Sequence, residues 1–95
     1  MDRSTYITQA KDQLDKLDAR IDELKAKAET AQADAKAEYD KEIKELQKRS
    51  DEARAKLDKM RAAGDAAAED IRSGFESAWQ EVSSAVDRAS GRFRH

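Results

Sequence analysis

Acid–base and metal chemistry in this 95-residue chain would rest on twenty-one carboxylates and one histidine, His95, because there is no cysteine. Without a thiol there is neither a cysteine nucleophile nor a cysteine-based metal site. A di-metal site in a helical bundle needs Glu-x-x-His pairs aimed into the core, and none can be written here. Gly64, Gly74 and Gly91 stand alone, so there is no glycine-rich loop to cradle a phosphate. The carboxylates alternate with Lys and Arg in the manner of a solvated helical face. The expectation is a non-enzymatic chain with no catalytic residue, no metal and no cofactor.

Trp79 is the side chain most open to a functional role, as an anchor in a partner groove or at a membrane surface. The ordinary role of an indole on an apolar arc is packing, and that is the role expected of it. Tyr39 is read in the same way, as a packing residue. Both must be positioned by helices. The chain has no proline, only three glycines, and 42% charged residues. That composition belongs either to long helices or to disorder, and periodicity decides between them.

Ile7, Ala10, Leu14, Leu17, Ile21, Leu24, Ala28, Ala31 and Ala35 recur at alternating spacings of three and four, one stripe of a helix. Disorder has no such rhythm. Ser4 is the expected N-cap. Tyr39, Ile43, Leu46, Ala53, Leu57, Met60 and Ala67 form a second stripe, offset from the first by one residue. A continuous helix can absorb the slip as a stutter, or the chain can turn near residues 30–34 with Asp34 capping a new helix. The alanine-rich slip region holds no helix breaker, which favours one helix from about residue 4 to 63. Glu23–Lys27, Asp40–Lys44, Glu45–Arg49 and Glu52–Lys56 are acidic-before-basic pairs four apart that support it, each by ~0.3 kcal/mol.

Gly64-Asp65 is the first punctuation: a glycine suited to a left-handed helix end, then an aspartate suited to an N-cap. Beyond it Ile71, Phe75, Ala78, Trp79, Val82, Val86, Ala89 and Phe93 gather in an arc of about 100°. Gly74 borders this arc. The fold expected is all-α: a long coiled-coil helix (residues 1–63) and a C-terminal amphipathic helix (64–95) packing back on it. A lone sixty-residue helix leaves its stripe exposed. Homodimerisation would complete the bundle, with long helices antiparallel and Ala28, Ala31 and Ala35 at the close midpoint. The alternative is a monomeric three-helix bundle that turns near residue 32, related to the dimer by a domain swap.

Nineteen basic residues face twenty-one acidic ones, interspersed throughout, so no basic stripe can track a phosphate backbone and nucleic acid is not an expected partner. There is no transmembrane-length apolar run and no signal-type h-region, and the chain is read as cytoplasmic. Residues 66–93 have the amphipathic arc of surface-binding helices, but they lack lysine and are net acidic, which weakens attraction to anionic lipid.

The run from Tyr6 and Gln13-Leu14 through Ala26-Lys27-Ala28, Ala33-Asp34-Ala35 and Ala53-Arg54-Ala55-Lys56-Leu57 to Ala89-Ser90-Gly91-Arg92-Phe93 resembles a family of small bacterial coiled-coil proteins. The most specific stretch is Ser73-Gly74-Phe75-Glu76-Ser77-Ala78-Trp79. Leu17 and Ala67 depart from the family's pattern, which has tryptophan there. Some members carry a stress-response label without a defined activity. The resemblance implies a bacterial, non-enzymatic protein. Together with the stripes it leads to a coiled-coil interaction or structural protein acting by helix–helix association, as a homodimer or with a protein partner. The second reading is an amphipathic protein coating membranes or apolar granules through residues 66–93.

Overall fold

The computed structural model describes residues 2–92, the side chain of Asp65 excepted, as three helices: α1 (Arg3–Glu29), α2 (Ala33–Ala62) and α3 (Asp65–Arg92). They run up, down and up in a rod of 50 × 17 × 17 Å. The opposed directions show in the contacts. Arg3 at the start of α1 donates to the carbonyl of Ala63 (2.7 Å), and Arg54 of α2 pairs with Asp15 and Asp18 of α1. The all-α class expected from the stripes is the class observed.

Residues 4–63 do not form the continuous helix expected of them. The chain turns at Thr30–Ala31–Gln32, where the phase slip lies. Its end groups are satisfied without glycine or proline: the Thr30 amide and hydroxyl donate to the Lys27 carbonyl (3.2 and 2.9 Å), and the Ala31 amide donates to Ala28 (3.2 Å). The gain that outweighs the lost helical bonds is burial. A straight helix would hold the α1 stripe away from the α2 stripe, whereas the turn lays one on the other.

Helix ends also differ from expectation. The N-cap of α1 is Asp2, whose carboxylate accepts from the Thr5 amide (2.7 Å). A full negative charge suits that end of the helix better than the Ser4 hydroxyl. Hydrogen bonds from the Thr5 amide, then from its side chain, hold the Asp2 carboxyl below its ordinary value. Gln32 occupies the N-cap of α2 with no side-chain bond, and Asp34 lies within the first turn. At the second turn Gly64 is not left-handed: Ala63 is extended (φ −80°, ψ 155°) and no glycine has positive φ. The Gly64 carbonyl accepts from the amides of Ala67 and Ala68, which starts α3.

The core divides lengthwise. Near the α1–α2 turn, Leu17, Ile21, Leu24, Ala28, Ile43, Leu46, Val82, Val86 and Ala89 form an aliphatic cluster, with Tyr39, Trp79 and Ala85 partly buried against it. Toward the other end, Ile7, Ala10, Leu14, Ala53, Leu57, Met60 and Phe75 pack together, with Tyr6, Ala68, Ile71, Ala78 and Trp79 partly buried around them. Trp79 touches both clusters.

Candidate interaction surface

α2 approaches both neighbours closely, while α1 and α3 approach each other much less. Where α2 faces the core it presents small residues, Ser50 and Ala53, between its aliphatics. At one end of the seam between α1 and α3, Tyr6 meets Phe75 edge-to-face (6.3 Å between centroids, 86°), and Trp79 lies one turn further along α3. Beside this pair runs an open groove of about 230 Å³ lined by Tyr6, Gln9, Ala10, Gln13, Phe75, Glu76 and Trp79.

One end of the groove is closed by a polar cluster. Tyr6 Oη donates to Glu76 Oε1 (3.1 Å), Arg72 Nε donates to the same oxygen (3.1 Å), and the Arg72 guanidinium lies 4.6 Å over the Tyr6 ring. Burial and the bond to Glu76 raise the Tyr6 phenol above its ordinary value. Hydrogen bonds from Arg72 and Tyr6 lower the Glu76 carboxyl, and the bond to Glu76 raises Arg72 further. Every shift favours the charge state already present at neutral pH. None poises a group to exchange a proton there, as a general acid or base must.

A second polar group ties α1 to α2. Ser50 is 1% exposed and donates to Asp18 Oδ1 (2.5 Å), while Arg54 Nη2 donates to Asp15 Oδ1 (3.0 Å) and Asp18 Oδ2 (2.8 Å). Desolvation opposes the Arg54 charge, but the two carboxylates outweigh it and raise its pKa. Ser50 stands between Leu46 and Ala53 in the α2 stripe, where an apolar residue would keep the period. That gap at position 50 is the sequence signal for the clamp, and an apolar stripe by itself does not name the partner that fills it.

The residues expected to mediate helix packing are distributed as follows. Ile7, Leu14, Leu17, Ile21, Leu24, Ala28, Ile43, Leu46, Leu57, Met60, Phe75, Val82 and Val86 are buried between helices of one chain. Ala35, Tyr39, Ile71 and Trp79 are half-buried. Phe93 lies outside the described residues, as does His95. Of the anticipated pairs, Glu45–Arg49 closes at 3.3 Å, whereas Lys56 reaches across to the Gly74 carbonyl (3.5 Å).

Among the described residues no group of three or more His, Asp and Glu side chains is arranged to hold a metal ion. No described helix is long and apolar enough to cross a membrane. Comparison of the chain with known proteins found no matching family model, no matching curated protein and no matching solved structure.

Proposed function

We propose that this chain is a non-enzymatic helix-association protein whose first partner is a second copy of itself, in a stress-associated bacterial role of the kind the family resemblance suggests. The observation that carries this reading is the direction of its polar chemistry. Ser50, Asp18 and Arg54 pair helix with helix, and Tyr6, Arg72 and Glu76 do the same across the α1–α3 seam. Such groups specify which helix lies where, and in what register. They do not converge on a free point where a substrate atom could react.

The test is absolute mass by light scattering of the full chain over a thousandfold concentration range. Self-association predicts a mass rising toward twice 10.7 kDa. A constant 10.7 kDa with unchanged Trp79 fluorescence would contradict it.

The open α1–α3 groove favours a second reading, in which α3 binds an apolar surface. Trp79, Ile71 and Ala78 remain half-exposed on the helix with the most apolar arc. Vesicles or an oil–water emulsion should then shift Trp79 emission to the blue. An emission spectrum indifferent to neutral vesicles, anionic vesicles and oil would remove this reading.

A further inference from the structure

The two turns of the bundle are built from different materials. The second, Ala63–Gly64, contains glycine, the poorest helix former after proline. The first, Thr30–Ala31–Gln32, contains only residues that helices accept, within the run Ala26-Lys27-Ala28-Glu29-Thr30-Ala31-Gln32-Ala33-Asp34-Ala35-Lys36-Ala37. Its backbone starts near the helical region and leaves it at Gln32. Thr30 has φ −95° and ψ −1°, none of the described residues has positive φ, and Gln32 has a helical φ of −63° but an extended ψ of 155°. Rotating ψ of Gln32 by about 160° would bring it to the helical value. Gln32 offers no side-chain bond to hold the turn in place.

We infer that α1 and α2 can join into one helix by straightening at Thr30–Gln32, and that two straightened chains then exchange α1 to form an antiparallel dimer. This rests on the self-association reading and names its mechanism. Each half of the dimer rebuilds the bundle described above, with α1 from one chain and α2 and α3 from the other. The same apolar surfaces are buried, so exchange costs little in packing. On the straight helix Ala28, Ala31, Ala35, Tyr39 and Ile43, spaced three, four, four and four, stay within an arc of about 120°. The stripe therefore remains continuous through the former turn. Small side chains at Ala28, Ala31 and Ala35 let the two long helices cross closely at the dimer axis.

The buried clamp fixes the register of the exchange. Ser50 and Arg54 of one chain would meet Asp18 of its partner in the geometry that they now hold within the chain. A slip by one residue would strand the Ser50 hydroxyl in the core, which sheltered polar groups tolerate poorly.

Proline separates the two states. In the turned chain Ala33 is the first residue of α2, and the first helical bond runs from the Lys36 amide to the Gln32 carbonyl (2.8 Å). Proline fits that first position and holds the preceding residue extended, as Gln32 already is. In a continuous helix it would clash with the carbonyl of Glu29 and remove a bond. Ala33→Pro should therefore keep the helical bundle and lower the dimer fraction at least tenfold. The double variant Thr30→Ala/Gln32→Ala should raise it.

The decisive experiment places a donor and an acceptor fluorophore at Ser4→Cys and Lys59→Cys of the full chain, refolded with a twentyfold excess of unlabelled chain. In the turned chain the two sites lie on neighbouring antiparallel helices, roughly 20 Å apart with their linkers. In the straightened chain they lie about 80 Å apart. The expected result is strong energy transfer in the monomer peak, near-zero transfer in the dimer peak, and loss of that dimer in Ala33→Pro. A dimer with strong transfer would overturn helix exchange while leaving self-association intact, since closed chains would then be associating. Absence of a dimer in both the unmodified hinge and the alanine double variant would overturn both.

Discussion

The half of the bundle beside the α1–α2 turn and the half beside the α2–α3 turn solve the same packing problem with opposite weaknesses. Beside the first turn the fully buried core is aliphatic, with Ile21, Leu24, Val82, Val86 and Ala89 at most 2% exposed and Tyr39 and Trp79 only partly buried against it. Its turn, however, contains nothing that forbids helix. Beside the second turn the chain is punctuated by Gly64, and Tyr6, Phe75 and Trp79 line the groove along α1 and α3, whereas the grooves beside the aliphatic half are lined mainly by polar side chains such as Arg49, Glu81, Asp18 and Asp51. Core and connection thus vary independently. Aliphatic side chains are buried whole, while the larger aromatic ones reach the same partners and keep part of their rings at the groove.

The largest effects should come from truncating each half in turn. Leu24→Ala in the aliphatic half and Leu14→Ala in the aromatic half should each cost ~2–5 kcal/mol in chemical denaturation. Leu24→Ala should be the costlier, because its short branched neighbours can refill a cavity in fewer ways than the flexible Met60 of the Leu14 cluster. If Leu14→Ala costs more, Met60 does not refill the space. Trp79→Ala should come next, at about 2 kcal/mol. That is less than full burial of an indole would give, because Trp79 is only partly covered while touching both clusters.

Much of this division is written in the sequence, and the part that is not has a definite cause. The spacing of Ile7 to Ala28 and of Ile43 to Met60 names the buried faces, because a helix has one period and a stripe must meet another stripe. Gly64 marks the second turn for the same local reason. At the first turn the sequence offers the one-residue slip between stripes but no helix breaker, since Thr30, Ala31 and Gln32 all accept helix. Only the tertiary gain of laying α1 on α2 decides it, and local propensity yields to such gains. Similarly, Ser50, Asp18 and Arg54 come from segments more than thirty residues apart. No spacing rule along one helix could unite them, although the missing apolar residue at position 50 points to the place.

Smaller effects sharpen the comparison. Gly74 sits inside α3, and a methyl group there would meet only Lys56 Nζ, at 3.9 Å. Gly74→Ala should therefore stabilise the aromatic half by ~0.5–1 kcal/mol, read as a raised melting temperature. A loss of stability would mean that α3 approaches α2 more tightly there than the structure shows.

The pH dependence belongs to the same half and carries two signs. Hydrogen bonds from Arg72, then Tyr6, lower the Glu76 carboxyl, so the unfolded chain takes up a proton there before the folded one. The stabilisation is whole above the unfolded value and is lost as pH falls through the folded value. Burial, then Glu76, raises the Tyr6 phenol, so its contribution is whole below the ordinary tyrosine value and is lost as pH rises through the folded one. Glu76→Gln should make the acid limb of the stability profile measured through Trp79 fluorescence shallower, with the lowered Asp2 carboxyl still contributing to it, and Tyr6→Phe should do the same to the alkaline limb.

Native-state hydrogen exchange, resolved by residue, tests the division most directly, because it reads local opening in both halves at once. The expected result is slowest exchange around Ile21–Leu24, Ile43–Leu46 and Val82–Val86. Faster exchange is expected at Tyr6–Ala10 and Ile71–Phe75, and the fastest interior exchange at Gln32–Lys36. Uniform protection along the rod, or slower exchange beside the aromatic groove than in the aliphatic half, would contradict it.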